Sequence, residues 1–123
     1  MQDCVILGSV ATFDGVAPDK AQALKVLEEA SKVYNAWQVW DECRDDEAKA
    51  ECRQSLMEEC ADVVQATANL VKACGCDDMR LHLMDCEDRN RKRGRITGSK
   101  PYPAGARVAS ASCSCQFLAP MGC

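Results

Sequence analysis

From Ala23 onward the apolar residues of this chain return at steps of four, three, four and three: Ala23, Leu27, Ala30, Tyr34 and Trp37. A second row, Val26, Val33 and Trp40, runs beside the first. Side chains spaced this way share one face of an α-helix and would alternate between the two faces of a strand. The spacing therefore predicts a long amphipathic helix over about 20–42, packed along most of its length. Its start is marked as well. Pro18 precedes Asp19, and Gln22 follows three residues later, an Asp variant of the capping box.

The same period returns further on. Leu56, Cys60, Val63, Thr67, Leu70 and Cys74 step by four and three, and Gly75 stands where a helix ends in a left-handed turn. The polar stretch between, 41–55, holds good helix formers and reads either as a helical extension or as a loop. Asp77 or Asp78 can cap a third helix, which Gly94 would end, with Arg and Lys crowded into its last turn. The reading is an all-α chain, an antiparallel bundle of three main helices over 19–96. A short extended arm (1–18) precedes it and an irregular, Cys-containing tail (97–123) follows.

Charge and length narrow the function. A net charge of −4 argues against a general nucleic-acid binder, and no apolar run approaches membrane-spanning length. With no export signal in view, the cytoplasm is the expected compartment. Residues 28–62 carry eleven acids, whereas Arg89, Arg91, Lys92, Arg93, Arg95 and Lys100 form a basic block. On a helical wheel with Val63 at zero, Glu59 falls near −40° and Asp62 near about −100°. The two carboxylates thus sit on one side of the helix, at and just beyond the edge of its apolar stripe, and Asn69 continues their line. Glu29 occupies a stripe edge on the first helix, beside Val26 and Trp40. Carboxylates at a core edge need a cation or a charged partner. The residues leave both open: a site for a hard divalent ion, or a structural salt-bridge network.

The text around these acids resembles a known family. "LEEASK" and "EECAD" are similar to the two-part signature of the MazG-like, all-α nucleoside triphosphate pyrophosphohydrolases, Glu-Glu-x-x-Glu on one helix and Glu-x-x-Asp on the next. The flanking "KVLEEASKVYNAWQVWDEC", "ECADVVQATANLVKACG" and "CEDRNRKRGRI" resemble phage-encoded members in particular, over about 19–96. The resemblance implies a Mg²⁺-dependent enzyme, with Mn²⁺ as a substitute, that splits a nucleoside triphosphate into monophosphate and pyrophosphate. By position it makes Glu29, Glu59 and Asp62 metal ligands and Glu28 a ligand or supporting group. Asn69, Asn90, Arg93 and Arg95 become nucleotide or phosphate contacts. It also implies a homodimer or homotetramer.

One position departs from the pattern. Lys32 stands where the third Glu of the first motif belongs. Protonated Lys donates and cannot ligate a metal. Lys32 could therefore weaken the enzyme, or stand in for the metal's charge and leave a nucleotide-binding protein. It could also mark an inactive partner-binding descendant, such as a phage factor acting on a host protein.

Ten cysteines form a separate feature. Without an export signal they are expected to be mostly reduced, several serving as small core residues. Two Cys-x-Cys pairs, Cys74 with Cys76 and Cys113 with Cys115, could supply four thiolates to Zn²⁺ or form a disulfide. Cys43 and Cys52 look too far apart for one helix face. His82 stands alone and reads as a packed or surface residue.

Overall fold

The computed structural model describes residues 3–98 of the 123-residue chain. Three helices and no strand occur among the described residues: α1 (Lys20–Glu42), α2 (Asp46–Ala73) and α3 (Arg80–Lys92). The all-α expectation holds, and the capping chemistry explains where each helix begins. Asp19 sits in extended conformation ahead of α1, and its carboxylate accepts the Gln22 N–H at 2.9 Å. The return bond of a capping box is not made by Gln22, because the Asp19 N–H goes to the Ala17 carbonyl instead. Asp45 repeats the device for α2, accepting from the Ala48 N–H at 2.9 Å. Of the polar stretch whose state the sequence left open, 41–42 end α1, 43–45 form a turn and 46–55 are the first turns of the 28-residue α2.

The described residues fall into two compact units. One is Val10–Cys74; the other holds 3–9 and 75–98. In the first, α1 and α2 pack against each other as a helical hairpin closed by a turn at 43–45. The face that α1 turns inward is Val26, Glu29, Val33, Ala36 and Trp40, again at steps of three and four. The row expected to be packed lies outside: Leu27, Tyr34 and Trp37 are exposed, and Tyr34 stacks on Trp37 with ring centres 6.0 Å apart. Two adjacent rows give α1 an apolar arc wider than one neighbouring helix covers, so one row remains on the surface. Glu29 shares the inner row, which buries it in the middle of the seam and not at its edge.

Near the turn, the ammonium of Lys49 lies 4.7 Å from the ring centre of Trp40, a cation–π contact. The thiols of Cys43 and Cys52 also meet there. Burial first, and then a hydrogen bond with the Cys43 thiol, push the Cys52 thiol above its usual range. The hairpin turn brings together two cysteines that helical spacing alone separates. At the other end, residues 11–13 lie against α2. The Gln65 amide donates to the Ala11 carbonyl at 2.8 Å, and the Phe13 N–H donates to Asn69 Oδ1 at 3.0 Å. Buried side chains in this unit are few, namely Glu29, Leu56, Ala66 and Asn69.

In the second unit, Met79 holds the N-cap position of α3, but the Asp78 carboxylate takes the Arg80 N–H at 3.0 Å and grips the Arg80 guanidinium at 2.7 Å. The C-terminus of α3 is a Schellman turn. Gly94, at φ +75°, donates to Arg91, and Arg95 donates back to the Asn90 carbonyl at 2.9 Å. Val5, Ile6 and Leu7 are exposed.

Candidate functional site

The hairpin brings Glu29 of α1 opposite Glu59 and Asp62 of α2. One carboxylate oxygen from each lies within 4.8 Å of the others, and among the described residues no other group of three or more acids, His or Cys is gathered this way. Exposure grades across the set. Glu29 is buried, Glu59 half-buried and Asp62 exposed, so the cluster opens from seam to surface. Glu59 Oε2 is buried and accepts no hydrogen bond. An orphaned carboxylate oxygen beside two more carboxylates is costly without a cation, and an all-oxygen donor set suits Mg²⁺ or Mn²⁺. The residues present therefore fit a hard divalent ion.

Glu29 already has partners. Lys25 Nζ lies 3.1 Å and Lys32 Nζ 3.3 Å from its Oε1. The hydrogen bond from Lys25, and then that from Lys32, hold the Glu29 carboxyl below the usual range, against a burial effect that works the other way. The same pairing raises Lys25, through Glu29 first and then Glu28. Glu28 lies outside the acidic triad. It is exposed and pairs with Lys25 at 3.3 Å and Lys32 at 3.9 Å.

Beside the triad is a cavity of about 190 Å³, lined by Phe13, Lys25, Lys32, Asp62, Gln65 and Asn69 together with Glu29 and Ala66. Asn69 is 2% exposed. Its Oδ1 accepts from the Phe13 N–H and from Gln65 Nε2, both at 3.0 Å. Its Nδ2 makes no hydrogen bond among the described residues. Sequence reasoning found Asn69 but missed Phe13, Lys25 and Gln65. Lys25 had a signal, four residues before Glu29, and so did Gln65, three after Asp62 and four before Asn69. Phe13 had none, because only the course of the arm over α2 brings it there.

The remaining expected contacts, Asn90, Arg93 and Arg95, belong to the second unit. There Asn90 Nδ2 donates to the Cys86 carbonyl, and Arg95 Nη1 donates to Asn90 Oδ1 at 3.3 Å. Arg93 is the C-cap residue of α3. Arg91, half-buried, is tied to Glu87 at 2.8 Å and to the Gly98 carbonyl. Cys76 is disulfide-bonded and as such offers no thiolate to zinc, whereas Cys74 is an exposed free thiol. This departs from the expectation of reduced thiols at Cys76. Cys43, Cys52, Cys60 and Cys86 are free, and Cys113 and Cys115 lie outside the described residues. Comparison with protein-family models, curated proteins and solved structures returned no match.

Proposed function

We propose that this chain is a divalent-cation-dependent nucleoside triphosphate pyrophosphohydrolase of the MazG-like type, with a bundle of three helices as its framework. The observation that carries the reading is the convergence of Glu29, Glu59 and Asp62 on one point beside a cavity, with one of their oxygens buried and unsatisfied. Glu29, Glu59 and Asp62 would hold Mg²⁺ or Mn²⁺. The ion supplies charge neutralisation of the triphosphate and lowers the pKa of water. Asn69 offers an unspent amide donor from a position that Phe13 and Gln65 hold rigid, suited to the edge of a base or sugar. Phe13 offers an aromatic face in the same cavity. Glu28 anchors the two lysines from outside. The phosphate contacts that the resemblance implies, Asn90, Arg93 and Arg95, belong to this proposal too.

A second reading has its own support. Two ammonium groups already sit on Glu29 Oε1, which favours a nucleotide-binding or partner-binding protein that has lost catalysis. Pyrophosphate release, assayed across NTPs and dNTPs with Mg²⁺ and Mn²⁺, separates the two. The enzyme reading expects turnover that Glu59→Gln lowers by about 100-fold, as loss of an ion-holding group does. Turnover that survives Glu59→Gln refutes the site. Nucleotide binding with no turnover in either metal supports the second reading.

The proposal extends to a homo-oligomer, a dimer or tetramer of this chain. Its support is the exposed row Ala23, Leu27, Ala30, Tyr34 and Trp37, which repeats the spacing of the inner seam and offers a second copy the packing that α2 gives to α1.

A further inference from the structure

Lys25 and Lys32 have two roles open to them. They are the partners of Glu29, and they line the same cavity as Glu29 and Asp62. Both converge on one oxygen, Glu29 Oε1, while Glu59 Oε2 is buried with no partner and Asn69 keeps Nδ2 unspent in a position 98% buried. With Glu28, which pairs with both lysines, four carboxylates against two ammonium groups leave the cluster two negative charges. A divalent ion added to the acids offsets those charges and sets a like charge beside each ammonium. Both lysine side chains are about half exposed, at 46% and 47%, so rotations along their stems suffice to move the charge.

We propose that Lys25 and Lys32 are exchangeable occupants of the site. A divalent cation takes their place on Glu29, and the released ammonium groups then bind the phosphate of an incoming polyanion, so that cation and phosphate bind cooperatively. This rests on the metal reading above. Until the anion arrives, Glu28 is the partner within reach, already 3.3 Å from Lys25 and 3.9 Å from Lys32. A glutamate at position 32 would add an oxygen ligand, but the lysine makes cation affinity conditional on an anion. By linkage, phosphate then tightens the cation and the cation tightens phosphate by the same factor.

The test is calorimetric titration of Mn²⁺ into the full chain, with and without inorganic phosphate, for wild type, Lys25→Met, Lys32→Met and Glu59→Gln. Phosphate should tighten Mn²⁺ on wild type by at least about fivefold. Each Met variant should bind Mn²⁺ alone more tightly than wild type and respond to phosphate less. Met variants that bind Mn²⁺ alone no better than wild type, with the same phosphate factor, overturn the exchange and leave the metal site standing. No Mn²⁺ binding by wild type either with or without phosphate, or equal binding by Glu59→Gln, overturns the metal reading beneath it. Acetic anhydride labelling of wild type gives a readout independent of any variant's folding. Mn²⁺ should speed the labelling of Lys25 and Lys32, and added phosphate should slow it again; rates unchanged by Mn²⁺ overturn the exchange.

Discussion

At the scale of single residues, the site is governed by what shares Glu29. A buried carboxylate with two ammonium partners is stable without metal, so a cation must compete with charges already in place. Lys32 is the decisive residue because it changes both sides of that competition. Lys32→Glu removes one competitor and adds an oxygen ligand. It is expected to raise turnover about tenfold at limiting Mg²⁺, where cation occupancy sets the rate, and to raise KM for the triphosphate because an ammonium is lost. Steady-state kinetics over a Mg²⁺ series checks this; unchanged turnover at limiting Mg²⁺ contradicts it.

At the scale of elements, each helix is held at its ends by short polar devices that local sequence encodes. Asp19 and Asp45 cap α1 and α2 from the N-cap position, while Asp78 works one residue further out. The Arg80 guanidinium and then the Arg80 N–H hold the Asp78 carboxyl down to about 2, from an ordinary value of 3.8. The folded value lies below the unfolded one, so this support for α3 is fully present above about pH 4. It is lost as pH falls through about 2. The stability difference between wild type and Asp78→Asn should therefore be constant above about pH 4 and shrink toward pH 2, as thermal melts across that range would show. A difference that stays constant down to pH 2 contradicts it.

At the scale of the molecule, a helical hairpin with few buried side chains carries a long apolar row on its outer face. Tyr34 and Trp37, stacked on each other, form the C-terminal end of that row. If a second copy covers it, Trp37→Glu places a charge in the seam. Sedimentation should then show a shift toward monomer of at least about tenfold in the dimer dissociation constant, with helix content retained. A wild type that sediments as a monomer removes the oligomer from the proposal.

The sequence by itself determined the helices, because periodicity, N-caps and terminal glycines are local signals that act within a few residues. Asp19, Gly75 and Gly94 each appear in the structure at the helix ends their chemistry marks, whereas Asp45, the N-cap of α2, lay in the stretch the sequence left open. It also pointed to Glu29, Glu59 and Asp62, since each carboxylate lies at or near an apolar stripe. Only the tertiary structure decided which row of α1 faces α2. Both rows have helical spacing, and the choice belongs to the partner surface, which placed Glu29 in the seam and Trp37 outside. It alone seated Phe13 and Lys25 in one cavity with Glu29 and Asp62 and brought the free thiols of Cys43 and Cys52 together across the turn. Those meetings depend on how the chain returns on itself, which no window of local spacing contains.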